Sequence, residues 1–238
     1  MRTETRHALK KDKFAQAAAS SASWVNVHRS SVVRWSITAA AAVAIAIGGL
    51  IFWSVRSSDA DDALGAAMDV YNTPLAIPGE PAESGTYNTA AERAKAANTQ
   101  FEAVAHSYGW MKAGEMARYF AGITNQELGQ TAAAEAELKS VTGSWNHNLA
   151  NLAKVALAGI YHQTGRDNLA IDLYNQIISK PSITVSAAVA QLDLADLYSD
   201  EGKRDQARAL WAKVQDSDKQ GAAGEIAAQK LAGGANPK

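Results

Sequence analysis

Apolar and polar residues are distributed in two different ways along this chain. From Trp35 to Val55 there is no alternation at all: 21 residues carry no charge, 16 of them are apolar, and Arg34 and Arg56 bound the run. A helix of that length measures about 30 Å, close to the hydrocarbon thickness of a bilayer. Trp35 and Trp53 lie near its two ends, where interfacial aromatics gather. The run is predicted as a transmembrane anchor at 35–55, preceded by a tail at 1–34. Ala40, Ala44 and Gly48 form a small-residue stripe on it, a candidate surface for packing against another membrane helix. Past Arg56 the apolar residues return to helical spacing. Leu64, Met68 and Tyr71 continue a juxtamembrane helix, and Pro74, Pro78, Pro81, Gly79 and Gly85 then forbid helix across 72–88. The segment 56–88 is thus read as helix plus loop. Further helices are predicted near 89–107, 110–128, 131–142, 147–164, 167–179, 184–201 and 204–217. A capping helix follows at 219–232, and 233–238 is left as a frayed tail.

Between 89 and 232 the pattern repeats. Gly129, Ala134, Leu138 and Val141 keep offsets that return at Gly165, Ala170, Tyr174 and Ile177, and again at Gly202, Ala207, Trp211 and Val214. Four residues before each Gly stand Asn125, Tyr161 and Tyr198; seven before stand Gly122, Ala158 and Ala195. Ala97, Phe101 and Val104 form a half-copy without its Gly. These offsets have a mechanical meaning. Glycine suits the left-handed position that closes one helix before a tight turn. The small residues on either side let two antiparallel helices cross closely, and the large residues fill the space between successive pairs. One pair cannot bury its apolar face alone, so the copies are expected to stack.

Charge gives the apolar run a direction. Residues 1–34 hold Arg2, Arg6, Lys10, Lys11, Lys13, Arg29 and Arg34 against Glu4 and Asp12. After Val55 there are 16 basic and 22 acidic residues. The positive-inside bias then predicts a cytoplasmic N-terminus and a large C-terminal part on the other side. Ser58-Asp59-Ala60 offers a cleavage pattern for a signal peptide, but the basic lead and the apolar run are both too long for one, and an anchor is the preferred reading. Net charge is −1, so no global basic field points to nucleic acid. The chain has no cysteine, which removes disulfides, thiolate metal sites and a cysteine nucleophile from consideration.

Candidate chemistry is sparse. No phosphate-binding glycine loop, zinc-protease motif or serine nucleophile elbow occurs in the sequence. His147 and His162 bracket one predicted helix and would stand about 22 Å apart, too far to share a metal. No enzyme activity, cofactor or metal is expected.

The repeat of small, aromatic, glycine, small and bulky positions resembles the tetratricopeptide repeat, whose usual period is about 34 residues. The copies here recur after 36 and 37 residues, with the surplus placed near 143–147 and 179–184. The resemblance implies an all-α fold, with one N-terminal transmembrane helix followed by a tetratricopeptide-like solenoid of helical hairpins. The first helices of the hairpins would line a concave, partner-binding face through Met116, Tyr119, Ile123, Val155, Gly159, His162, Leu192, Asp196 and Ser199. Clamps of this family that grip a terminal carboxylate use Lys, Arg and Asn; the corresponding places hold Val155, Gly159, Val189 and Asp193, which does not suit an anion. The run Thr5-Arg6-His7-Ala8-Leu9-Lys10-Lys11-Asp12-Lys13-Phe14, the single span and the repeats together are similar to the YfgM-like proteins, ancillary to the bacterial SecYEG translocon. That similarity implies an inner-membrane protein with its repeats in the periplasm, contacting translocon subunits and periplasmic chaperones as a protein–protein scaffold. An adaptor of another envelope complex, in division or pilus assembly, is the alternative with the same architecture. The loop 72–88 departs from the simpler form of that family.

Overall fold

The structure is a computed structural model that describes residues 29–77 and 85–233. The basic cluster between Arg2 and Lys13, the loop residues Pro78, Gly79 and Pro81, and the tail 234–238 lie outside the described residues. Nine helices are described and no strand. They are α1 (Arg29–Asn72), α2 (Ala90–Tyr108), α3 (Lys112–Glu127), α4 (Thr131–Val141), α5 (His147–Gln163), α6 (Asp167–Ser179), α7 (Ala187–Asp200), α8 (Arg204–Ser217) and α9 (Ala222–Gly233). The chain divides into two compact units, Met1–Arg56 and Ser57–Lys238.

In the first unit the described residues are one continuous helix, long and apolar enough to cross a membrane. Its apolar side chains are not sheltered by protein: Trp35 and Ile45 are each 75% exposed. Ala40, Ala44 and Gly48 are exposed with them, and a Cβ built on Gly48 would meet nothing within 4 Å.

In the second unit each helix packs on its neighbours in sequence, and α3 also meets α5, as α7 meets α9. The repeated glycines set the turns. Gly129, Gly165 and Gly202 have φ of 73°, 71° and 77°, the left-handed region that a Cβ makes costly. At each of them the same two hydrogen bonds close the helix. The glycine N–H donates three residues back, and the next N–H donates five residues back, to Asn125, Tyr161 and Tyr198 at 2.8, 2.7 and 2.8 Å. This is the Schellman pattern, which satisfies carbonyls that the helix end would otherwise leave bare. Arg166 and Lys203, the residues after two of the glycines, then lie over the Tyr161 and Tyr198 rings at 4.5 and 5.6 Å.

The small crossing positions are sealed: Ala134, Ala158, Ala170 and Ala195 are all 0% exposed. A Cβ on Gly122 would come 2.6 Å from Leu138 Cγ, so that crossing admits no side chain. The bulky positions fill the interior. Leu138, Tyr174 and Ile177 join Leu149, Leu157, Ile160 and Leu194 in a core shared by α4 to α7. Trp211 and Val214 join Leu192, Ala195 and Ala223 in a second core from α7 to α9.

A third core reaches back before residue 89, where the repeats were expected to begin. Ala67 packs with Ala97, Phe101, Val104, Ala117 and Ala121, flanked by Leu64, Met68 and Tyr71. Residues 57–72 are therefore a packed helix of the second unit. The loop that follows is pinned at both ends. Ala76 N–H donates to Tyr87 O at 2.8 Å, and an Arg93 guanidinium N–H donates to Thr73 O at 3.3 Å.

Helix starts differ from expectation by two or more residues at three junctions. α3 begins at Lys112 rather than 110, because Met111 N–H first closes a turn on Tyr108 O at 2.8 Å. α7 begins at Ala187 rather than 184, because Ser182–Val185 closes a turn of its own (Ser182 N–H to Val185 O, 3.0 Å), after which Ser186 caps the helix. α9 begins at Ala222 rather than 219, because Gly221 N–H first closes a turn on Asp218 O at 3.0 Å.

Candidate partner-binding face

The expected face takes its residues from α3, α5 and α7, each set at helical spacing along one side. The structure divides them by role. On α3, Met116, Tyr119 and Ile123 are half-buried and pack against the core of the following helices. Burial pushes the Tyr119 hydroxyl above its ordinary pKa. On α5, Val155 also packs against that core, and Gly159 lies one turn further along, where a Cβ would meet nothing within 4 Å. On α7, Leu192 is 8% exposed and belongs to the α7–α9 core, so it presents little surface to a partner. Asp196 and Ser199 are half-buried.

His162 holds helices together. Its Nδ1 lies 2.6 Å from Asp167 Oδ1 at the start of α6, and its Nε2 lies 3.4 Å from Asp200 Oδ2 at the end of α7. The hydrogen bond to Asp167, assisted by Asp200, raises the imidazole pKa. Both ring nitrogens are occupied within the fold, which leaves neither for a ligand. Nearby, Arg166 makes a bidentate pair with Glu135 at 3.0 and 2.7 Å, joining the turn after α5 to α4.

The most unusual electrostatics centre on Asp193 and Asp196 of α7. Asp193, Asp196 and Asp200 fall at i, i+3 and i+7 on α7 and form a carboxylate row. Asp196 Oδ2 accepts from Lys230 Nζ of α9 at 2.8 Å, while its Oδ1 is buried with no partner in the protein. Burial, with Asp196 adding repulsion, pushes the Asp193 carboxyl up to about 6. Burial also raises the Tyr174 hydroxyl pKa, with both carboxylates adding to it. Sequence spacing places the three aspartates on one helix, but the desolvation is that of Asp193, and it comes from what packs on α7, with Tyr174 of α6 among its neighbours. No local signal carries that.

The Asp193 shift has a stability consequence. Folding favours the protonated acid, so the stability its proton contributes is complete below the ordinary carboxylate range and is lost as pH rises through about 6. Asp193→Asn is expected to raise the urea midpoint of the full chain in detergent micelles at pH 7.5 and to leave it nearly unchanged at pH 4. The gain at neutral pH should be roughly 1–2 kcal/mol, discounted because the group keeps some water contact. Equal effects at both pH values would refute the burial argument.

Among the described residues no group of three or more His, Asp or Glu is placed to hold a metal ion. The face offers an apolar floor, an open notch over Gly159 and a row of carboxylates. Comparison of the chain with protein-family models, with curated proteins and with solved structures gives no match.

Proposed function

We propose that this protein is a membrane-anchored scaffold for protein–protein contacts, with a tetratricopeptide-like stack of helical hairpins held at the membrane by the apolar part of α1. The observation that carries the reading is the triplicate turn at Gly129, Gly165 and Gly202. Three turns with the same dihedral and the same two hydrogen bonds, each flanked by sealed small residues, are what a stack of like hairpins requires. Such arrays work by presenting one face of successive first helices to a partner. Here that face has an apolar base along α3 and α5 and carboxylates along α7, which suits a segment mixing apolar and basic residues.

The charge split around residues 35–55 supports a cytoplasmic N-terminus and a stack on the far side of a bacterial inner membrane. Together with the likeness to YfgM-like proteins, it favours a place beside the Sec translocon, linking it to periplasmic chaperones. A photocrosslinking residue at Gly159 or Ser199 is expected to capture translocon subunits or periplasmic chaperones in native membranes. The same residue at Asn175, exposed on α6, is expected to capture neither. Recovery of division or pilus components alone would replace the translocon reading with the adaptor one.

A further inference from the structure

The connections between helices fall at two opposite ends of the second unit, and the two ends differ in chemistry. Consecutive packed helices joined by short connections reverse direction each time. The glycine turns at 128–130, 164–166 and 201–203 therefore share one end, and the connections at 109–111, 142–146 and 180–186 share the other. Cross-links along each end agree. At the glycine end, Tyr71 donates to Glu127 at 2.6 Å, Arg166 reaches Glu135, and His162 reaches Asp200. At the opposite end, Ala60 packs with Met111 and Ala113, and Ser144 donates to Glu115 at 2.7 Å. There too, Asn148 Oδ1 accepts from Ile183 N–H at 3.1 Å.

Each of those three connections at the second end carries an exposed large apolar side chain. Trp110 is 57% exposed, Trp145 98% and Ile183 95%. Single exposed apolar residues are ordinary on a protein surface; three at successive junctions on one end are a pattern. Lys112, Lys139 and Lys180 flank them and are exposed, and 109–112, 139–147 and 180–186 contain no Asp or Glu. The glycine end carries charges of both signs, Glu127, Asp167, Asp200, Glu201 and Asp205 with Arg166, Lys203 and Arg204, and the exposed large apolar residue beside its glycine turns is Leu169 at 44%. The connection at 218–221, last along the chain, has no large apolar residue.

What meets this end follows from the chain itself. Ala60, packed against Met111, is five residues past Val55, and connectivity alone keeps it within about 18 Å of the end of the apolar run. We propose that the 109–111, 142–146 and 180–186 connections form a lipid-contacting edge, with Trp110, Trp145 and Ile183 entering the headgroup–acyl boundary of the leaflet from which the second unit emerges. Tryptophan favours that layer because its ring is apolar and its N–H needs a polar partner, and flanking lysines meet lipid phosphates. Docking by this edge would set the height and tilt of the partner-binding face above the membrane. The inference rests on the anchored reading of α1.

The absence of cysteine permits a clean test. The full chain is reconstituted in phosphatidylcholine–phosphatidylglycerol vesicles with one environment-sensitive label at Gly143→Cys, Asn168→Cys or Ile47→Cys. Gly143 and Asn168 are exposed, the first beside Trp145 and the second beside the Gly165 turn. Lipids spin-labelled near the headgroup are expected to quench the label at 143 and not at 168. Replacing Trp145 and Ile183 together by Ala should abolish the quenching at 143, and these side chains are too exposed for the fold to depend on them. No quenching at 143, or equal quenching at 143 and 168, overturns the proposal. So does a label at 143 that lipid leaves untouched but that crosslinks to a protein in native membranes. The label at 47 reports on the anchor: quenching there by deep spin labels with none at 143 defeats this inference alone, whereas none at 47 defeats the anchored reading beneath it.

Discussion

Phe101→Ala is expected to lower the stability of the second unit by about 3–5 kcal/mol, the range for deleting a fully buried aromatic ring. Phe101 is 0% exposed, its ring stacks on Phe120 at 5.3 Å, and it meets the Tyr71 edge at 6.0 Å. The walls around it cannot readily close the space. Tyr71 is tied by its hydroxyl to Glu127, and burial with that carboxylate pushes its pKa up to about 12; Arg93 also lies over its ring at 5.8 Å. Ala97 and Ala121 are already too small to move inward. Urea unfolding of the full chain in micelles should show the midpoint falling, and hydrogen exchange should show α1 to α3 losing protection before α5 to α7. A midpoint within error of the parent would mean that residues 57–72 do not seal this core. Because neighbouring helix pairs are coupled mainly through their shared surfaces, the carboxylate row on α7 should keep its geometry in this variant.

Ile45→Arg combined with Ile47→Arg carries the second large effect. Each arginine near the centre of a span costs about 2.5–3.5 kcal/mol on insertion scales, so the pair approaches 5–7 kcal/mol. Both isoleucines are exposed within the protein, at 75% and 52%, so the helical fold of the second unit has no contact to lose. The expected result is that the chain leaves the carbonate-resistant membrane fraction while its far-UV circular dichroism is retained. A doubly substituted chain that stays with the membrane after carbonate would defeat the anchor and, with it, the scaffold reading.

The two experiments probe opposite uses of apolar surface in one helix. Residues 57–72 of α1 bury Ala60 and Ala67 against α2 and α3, whereas residues 35–55 bury nothing. Both stretches were legible as helix from apolar spacing or apolar length. That the first of them closes a core could not be read locally. Its connection to α2 is the proline loop, so the glycine offset that marks the other pairs is missing there. The contacts of Tyr71 with Phe101 and Phe120 join residues distant in sequence.

The sequence by itself determined the elements whose cause is short-range. The left-handed turns follow from three glycines, the close crossings from Ala and Gly at fixed distances on either side, and the all-helical character from apolar spacing. It also determined that one segment is long, apolar and uncharged, since those are sums over neighbouring residues. Tertiary structure decided what depends on distant residues meeting. Packing around α7 raised Asp193, a residue no different in sequence from Asp196. His162 became a strut because the end of α7 returned to it. Alternate reversal of the helices gathered Trp110, Trp145 and Ile183 at one end and the glycine turns at the other. The physical reason is the same in each case: hydrogen-bonded turns and helices are closed by residues a few positions apart, whereas desolvation and surface chemistry are set by whatever the folded chain places alongside.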